Sequence, residues 1–177
     1  MRCVQEEFFM RIALIPGSFD PITLGHVNII ERAARMFDKV YVAVMINDSA
    51  KYDKSLCSKQ YLFTMEERVE LARLSVSHIE NVEAIARSGM LIDLCDELEA
   101  TAIVKGIRNA ADLEYEMIHA RWNKAHNERA ETLFLPAEET LVAVSSTAVR
   151  QMLAEKNYDA LCGVLHEKAV CFLRDRK

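Results

Sequence analysis

The residues of this 177-residue chain with most scope for chemistry lie in one turn, Pro16-Gly-Ser-Phe-Asp-Pro-Ile-Thr-Leu-Gly-His26. An apolar run, 12–15, precedes it and a segment of helical period follows, so the turn joins the carboxyl end of a strand to the start of a helix. In a parallel sheet, ligands bind at that end, and the free amides and dipole of the following helix attract phosphate. Gly17 and Gly25 let the backbone come close to a ligand. Ser18 offers a hydroxyl donor, and His26, in the first helical turn, can aim a ring N–H at a phosphate oxygen. That role is electrostatic, not nucleophilic. The same residues would also make a plain turn, with Pro16, Gly17 and Pro21 shaping the backbone and Asp20 bonding its own main chain.

Two further segments offer phosphate chemistry. In Lys105-Gly-Ile-Arg-Asn-Ala-Ala-Asp-Leu-Glu-Tyr-Glu116, a bend at Gly106 at the end of a strand would let Lys105 and Arg108 face one crevice. Arg108 could then bond two oxygens of a triphosphate or a phosphorylated acceptor at once, although solvated surface charges are the plainer reading. Val144-Ser-Ser-Thr-Ala-Val-Arg150 places three hydroxyl residues at a helix start, where side chains and amides suit phosphate. One serine alone would be read as a helix cap.

The elements that must position these residues alternate between short Val- and Ile-rich runs and longer stretches of helical period, the pattern of a βαβ protein with a parallel sheet. Strands are expected at 12–15, 40–46, 81–85, 102–105 and 132–135. Val27, Ile30, Ala34 and Phe37 mark one face of a helix ending near Asp38. Thr64-Met-Glu-Glu67 is a capping box that starts a second helix reaching about Ser77. Leu91, Leu94, Cys95 and Leu98 share a third helical face, and a long helix is expected over 112–127. Ser145 or Ser146 caps a helix carrying Val149, Met152 and Leu153, and the chain from 158 onward reads as helical. The polar stretch 47–62 reads as a loop.

With 51% hydrophobic residues the chain can bury a substantial core, and its length fits one domain. No apolar run is long enough to span a bilayer, so a soluble protein without membrane partners is expected. The first ten residues lack a signal-type apolar run and carry Glu6 and Glu7, which makes the cytoplasm the default location. A net charge of −5 argues against non-specific nucleic-acid binding. Five cysteines, Cys3, Cys57, Cys95, Cys162 and Cys171, lack CxxC or zinc-ligand spacing, so reduced and mostly buried thiols are expected. There is no P-loop, GxGxxG, HExxH or GxSxG. His119 and His126, seven apart without a nearby cysteine, read as a solvated helix face rather than a metal site, and His78 and His166 suggest no role. Glu114 and Glu116 are two apart on a helix and point in different directions.

The strings in combination resemble the nucleotidylyltransferase superfamily, whose T/HxGH signature matches Thr23-Leu-Gly-His26, and within it the bacterial phosphopantetheine adenylyltransferases, which carry the GSFDP form of the turn. Lys105 to Glu116 resembles that family's RGxRxxxDFEYE stretch, and Val144 to Arg150 its SSS/SSTxxK/R element. Asn47-Asp-Ser-Ala-Lys51 is similar to the strand exit whose lysine lies beside the reacting phosphates. Two departures stand out. Extra residues precede Phe63-Thr-Met-Glu-Glu-Arg68, so Lys54 or Lys59 competes with Lys51, and Lys105 stands where arginine is usual. The likeness runs from Arg11 onward, with residues 1–9 as an N-terminal extension of a single domain over 10–177.

The resemblance implies an α/β fold with a Rossmann-like open parallel sheet of about five strands, helices on both faces and further C-terminal helices. It implies transfer of AMP from ATP to 4′-phosphopantetheine, giving 3′-dephospho-coenzyme A and pyrophosphate, with Mg2+ arriving with ATP and no protein metal site. His26, Lys51 and Arg108 would be catalytic. ATP would meet Ser18, Phe19, His26, Gly106, Ile107, Arg108, Glu116, Ser145, Ser146 and Thr147, and the acceptor Ser18, Lys51, Leu91 and Lys105. By period alone Leu91 reads as core. A homohexamer and feedback binding of coenzyme A also follow from the likeness. Rival readings are a nicotinamide mononucleotide adenylyltransferase, against which the segment from Lys105 to Glu116 argues, and a nucleotide-binding regulator without activity.

Overall fold

Strands buried on both faces are continuous apolar runs with a hidden alternation, because successive side chains point to opposite sides. Here the computed structural model, which describes residues 9–46 and 60–175, has five strands, the central three buried over much of their length and the edge strands β3 and β5 only in part: β1 (Ile12–Gly17), β2 (Lys39–Met45), β3 (Val82–Arg87), β4 (Ala102–Ile107) and β5 (Glu131–Pro136). All pairings are parallel, in the order β3-β2-β1-β4-β5. The helices are α1 (Leu24–Ala34), α2 (Met65–Val76), α3 (Leu91–Glu97), α4 (Ala110–His126), α5 (Ser146–Ala154) and α6 (Glu167–Asp175).

The chain builds outward from β1 through β2 to β3, then returns across the sheet to place β4 on the other side of β1. With right-handed crossovers, that reversal sends α3 and α4 to the opposite face, while α5 and α6, which follow β5, return to the face of α1 and α2. Ala13, Ile15, Val40, Val42, Val44, Ala102 and Val104 accordingly pack into one large core with buried residues of α1, α2, α5 and α6. Leu14, Ala43 and Ile103 point the other way into a smaller cluster with Leu94 and Cys95 of α3. Helix α4 lies against β4 and β5, yet its one buried residue is Asn123. Its large apolar side chains Leu113, Tyr115, Ile118 and Trp122 are exposed.

Local signals place several boundaries. The capping box at Thr64 forms as expected: the Thr64 amide donates to Glu67 Oε2 at 2.9 Å and the Glu67 amide to Thr64 Oγ1 at 3.3 Å. Asn109 starts α4 earlier than the periodicity suggests, its Oδ1 accepting from the Asp112 amide at 2.9 Å. Helix α1 stops at Ala34, because the Met36 and Phe37 amides both turn back to the Ala33 carbonyl; Phe37 still packs on the core.

The C-terminal segment is not one helix. A 3-10 turn, Ala160–Gly163, is separated from α6 by a stretch whose Val164 carbonyl accepts from the Leu24 amide at 2.9 Å. Chain continuity there gives way to a bond that anchors the start of α1. His78 and His166, without a role in the sequence reading, stack with ring centroids 5.3 Å apart, and His78 Nε2 lies 2.9 Å from Glu31. Among the described cysteines the expectation of burial is corrected at two: Cys95 is buried, but Cys162 and Cys171 are exposed, because α6 and the turn before it pack through Leu161, Ala169, Val170 and Leu173, and Cys3 and Cys57 lie outside the described residues. No helix among the described residues is long and apolar enough to cross a membrane.

The smaller core depends on few side chains. Leu94→Ala, at a position 1% exposed, is expected to lower unfolding stability by about 2–5 kcal/mol, read by denaturant melts.

Candidate functional site

Strands β1 and β2 pair along six residues, from Ile12 with Lys39 to Gly17 with Val44, whereas β1 and β4 pair only at Ala13 with Ala102 and Leu14 with Ile103. Beyond Leu14 the two central strands part. A crevice of about 990 Å³ opens at their carboxyl ends, where chain order reverses. One wall is the turn from Pro16 to His26, the other runs from Lys105 into α4, and the start of α5 closes one end.

His26 stands on the third residue of α1, where a capping box has its return acceptor. Thr23, 1% exposed, donates its backbone N–H to His26 Nδ1 at 3.0 Å, and its Oγ1 lies 2.9 Å from the same nitrogen. A backbone amide is always a donor, so Nδ1 must be the acceptor and the proton sits on Nε2, on the opposite edge of the ring. Burial, and secondarily the Arg108 charge, lower the His26 pKa to about 4. The ring is therefore a neutral donor at physiological pH, held edge-on to Phe19 at a centroid distance of 5.2 Å.

The turn before it is held in an unfavourable shape. Phe19 has φ +43°, a left-handed conformation uncommon for a bulky residue, and its ring folds back over Gly17. A Cβ at Gly17 would lie 2.9 Å from Phe19 Cζ, so glycine is required there for close approach. Asp20 does not bond its own turn. Its carboxylate, 1% exposed, accepts from the amides of Leu62 and Phe63, both at 3.0 Å. Arg150 donates from Nη1 to the Asp20 carbonyl at 2.7 Å.

Lys105 and Arg108 both line the crevice, and each is paired with a carboxylate of α4. Lys105 Nζ lies 3.2 Å from Glu116. Arg108 grips Asp112 with two bonds, from Nε at 2.8 Å and Nη2 at 3.1 Å, which lowers the Asp112 pKa and raises that of Arg108. An incoming phosphate would meet cations already oriented, with carboxylates to exchange. Gly106 is inside β4 rather than at a bend; a Cβ there would meet Ile29 of α1 at 3.0 Å, so its function is close helix–strand contact.

At the third wall, Ser145 caps α5 by accepting from the Ala148 amide at 3.2 Å, and Ser146 Oγ donates to the Pro21 carbonyl at 2.8 Å. Thr147 Oγ1 accepts from Arg150 Nη2 at 2.9 Å. These hydroxyls tie α5 to the turn while lining the crevice. Ser18, Phe19 and Leu91 line it as well. Ile107 ends β4 opposite Pro136 and is not a lining residue. Lys51, with its competitors Lys54 and Lys59, lies outside the described residues.

Sequence reasoning passed over several residues the crevice contains. Thr23 could have been found from its three-residue spacing to His26, a capping box with histidine in the place of glutamate. Tyr115, His119, Trp122 and Asn123 project from α4 toward the opening, so His119 is more than a solvated face. Asp112 follows Arg108 at four residues, a recognisable helical ion-pair spacing. Among the described residues no group of three His, Cys, Asp or Glu side chains could hold a metal ion.

Compared with known proteins, the chain matches a cytidylyltransferase-like family profile over residues 14–152. It is similar to the phosphopantetheine adenylyltransferase of Heliobacterium modesticaldum, 43% identical over 143 residues that cover 81% of this chain and 80% of that protein. With the enzyme of the same name from Staphylococcus carnosus it shares 40% identity over 144 residues, covering 81% and 84%. Among solved structures it resembles a protein from Vibrio parahaemolyticus assigned as a nicotinate-nucleotide adenylyltransferase, with TM-score 0.70, 18% identity and coverage of 93% and 99%. A lipopolysaccharide core biosynthesis protein from Thermoplasma volcanium gives TM-score 0.51 at 19% identity, covering 74% and 100%. These two structural likenesses establish the fold alone.

The pKa of His26 gives a signed expectation. Between the ordinary 6.5 and about 4, the unfolded chain binds a proton that the folded ring refuses, so this residue's contribution to stability is lost as pH falls through that window. Above it the contribution is flat. An NMR titration of the His26 ring is expected to show no inflection between pH 5.5 and 8, and His26→Gln to remove the acid-side component in denaturant melts.

Proposed function

The chain belongs to the cytidylyltransferase-like family and, within it, to the phosphopantetheine adenylyltransferases, and from that premise we propose that its crevice moves AMP from ATP to 4′-phosphopantetheine, giving 3′-dephospho-coenzyme A and pyrophosphate. The observation that carries the mechanism is the neutral His26 ring, whose Nδ1 is occupied by Thr23 and whose Nε2–H is left for a ligand in the crevice.

The acceptor phosphate attacks the α-phosphorus in line. A new P–O bond forms as the bond to the bridging oxygen breaks, and pyrophosphate leaves with the electron pair. Because the attacking phosphate is already anionic, neither a general base nor a covalent enzyme intermediate is required. Catalysis is then positioning and charge stabilisation. His26 donates to an α-phosphate oxygen where charge develops. Arg108 and the α5 start, with Ser145, Ser146 and Thr147, receive the polyphosphate; Ser18, Lys105 and Lys51 receive the acceptor phosphate, and Leu91 its apolar arm. Phe19, Gly106 and Glu116 contact the nucleotide, and Ile107 is assigned to it from the family resemblance alone. Mg2+ belongs to the nucleotide substrate in this scheme, carried by the phosphates rather than by a protein cage.

A cytoplasmic location, a single domain from residue 10 with an extension before it, and feedback binding of coenzyme A complete the reading. So does assembly as a homohexamer, which the exposed apolar face of α4, with Tyr115 58% and Ile118 62% exposed, supports by offering surface to cover. No nucleic-acid or membrane partner is proposed.

Pyrophosphate release from ATP, measured with a panel of phosphorylated acceptors, tests the proposal. Release with 4′-phosphopantetheine alone is expected. Release only with a pyridine mononucleotide would move the chain to another acceptor class, and nucleotide binding without release would identify a regulator. His26→Ala is expected to cut turnover by roughly 100- to 1,000-fold with ATP affinity changed much less; near-normal turnover would remove His26 from its role.

A further inference from the structure

Beneath the crevice, outside its lining, lies a buried cation that the scheme above leaves unused. Arg68 of α2 is 1% exposed. Its Nη1 donates to the Ser18 carbonyl at 2.7 Å and to the Met45 carbonyl at 3.4 Å, so one nitrogen ties together the chain just past β1 and the last residue of β2. The guanidinium carbon lies 4.2 Å from the centre of the Tyr61 ring, and Nη2 approaches Met65 Sδ at 3.9 Å. Its Nε–H is buried with no acceptor. Among the described residues no carboxylate lies within ion-pair distance, and the exposed Glu66 feels its charge only through space.

Arginine keeps its charge in low-dielectric surroundings, and an unpaired buried charge is a large cost unless something offsets it. Carbonyl dipoles and a ring face offset it in part. Ser18 and Met45, the residues whose carbonyls it holds, both line the crevice, so the guanidinium is one peptide unit from the phosphate site. It also fixes that peptide. In a trans peptide the carbonyl and the following N–H point in opposite directions, so holding the Ser18 carbonyl toward Arg68 turns the Phe19 N–H away from it. Phe19 is the residue with φ +43°, a conformation that persists only where its surroundings over-determine it.

We propose that Arg68 is a positioning residue for the phosphate turn: it locks the Ser18–Phe19 peptide in its strained orientation, and its otherwise unpaired charge is completed by the polyphosphate bound above it. The inference rests on the proposed nucleotide chemistry but not on the identity of the acceptor. It requires ligand affinity and turnover, not just fold stability, to depend on a residue that touches no ligand.

The test compares wild-type protein with Arg68→Met and Arg68→Lys by calorimetric titration with pyrophosphate, thermal melts with and without pyrophosphate, and steady-state kinetics. Arg68→Met is expected to weaken pyrophosphate binding about tenfold and to shrink the thermal shift that saturating pyrophosphate produces. Its turnover is expected to fall on the order of 100-fold with little change in the acceptor KM, as for a misplaced reacting group. Arg68→Lys restores charge without the planar fork, so most of the pyrophosphate affinity returns while turnover stays below wild type. A lower melting temperature with unchanged pyrophosphate affinity and turnover would reduce Arg68 to a structural residue and overturn the proposal. If the methionine variant does not fold, wild-type turnover in Arg68→Lys overturns it equally. A wild-type protein that binds neither pyrophosphate nor ATP would overturn the nucleotide reading instead.

Discussion

Everything that happens at the site depends on two parallel strands ceasing to pair. Once β1 and β4 separate beyond Leu14 and Ile103, their next residues no longer satisfy one another across the sheet, and a gap opens between them while β1 stays paired with β2 to Gly17 and β4 with β5 to Ile107. The turn from Pro16 and the segment from Lys105 flank that gap. Because both start from strands whose earlier residues are fully buried, the lips of the crevice inherit the rigidity of the core. Functional groups need such rigid support, and loops alone do not give it.

The turn itself is stabilised from outside. Ser18, Asp20 and Pro21 give their carbonyls to Arg68, Arg150 and Ser146, while the Asp20 carboxylate takes two amides from the chain before α2. Helix α2, the chain before it and helix α5 thus converge on a few residues of backbone. The arrangement explains how Phe19 can hold a left-handed conformation worth roughly 1–3 kcal/mol of strain: relaxing it would break bonds in several places together. The Val164 carbonyl anchors the start of α1 in the same way.

How much of this was legible in the sequence follows from the range of each interaction. The central strands could be read because burial on both faces demands unbroken apolar runs, and the Thr64 capping box because both partners lie within one turn. The crevice residues clustered in the motif strings were brought together by the topology. What could not be read were pairings across long separations. The Asp20 carboxylate meets amides 42 and 43 residues away, and within Phe63-Thr-Met-Glu-Glu-Arg68 nothing distinguishes a buried arginine from an exposed one. Gly106 was read as a bend because glycine has many uses, and only the approach of Ile29 decides between them. The C-terminal break at Val164 was hidden for the same reason: its partner is Leu24.

Thr23 has a consequence for how the site discriminates among the species it binds. By holding Nδ1 as an acceptor it fixes the tautomer, and burial, with the Arg108 charge, keeps the histidine a dipole rather than an ion. The field of a monopole reaches every phosphate in the crevice and favours reactants, products and transition state alike, which deepens binding without accelerating the reaction. A dipole's attraction falls off more steeply and depends on angle. In the proposed reaction it would reward the particular oxygen that carries developing charge at the crest and have less hold on the departing anion.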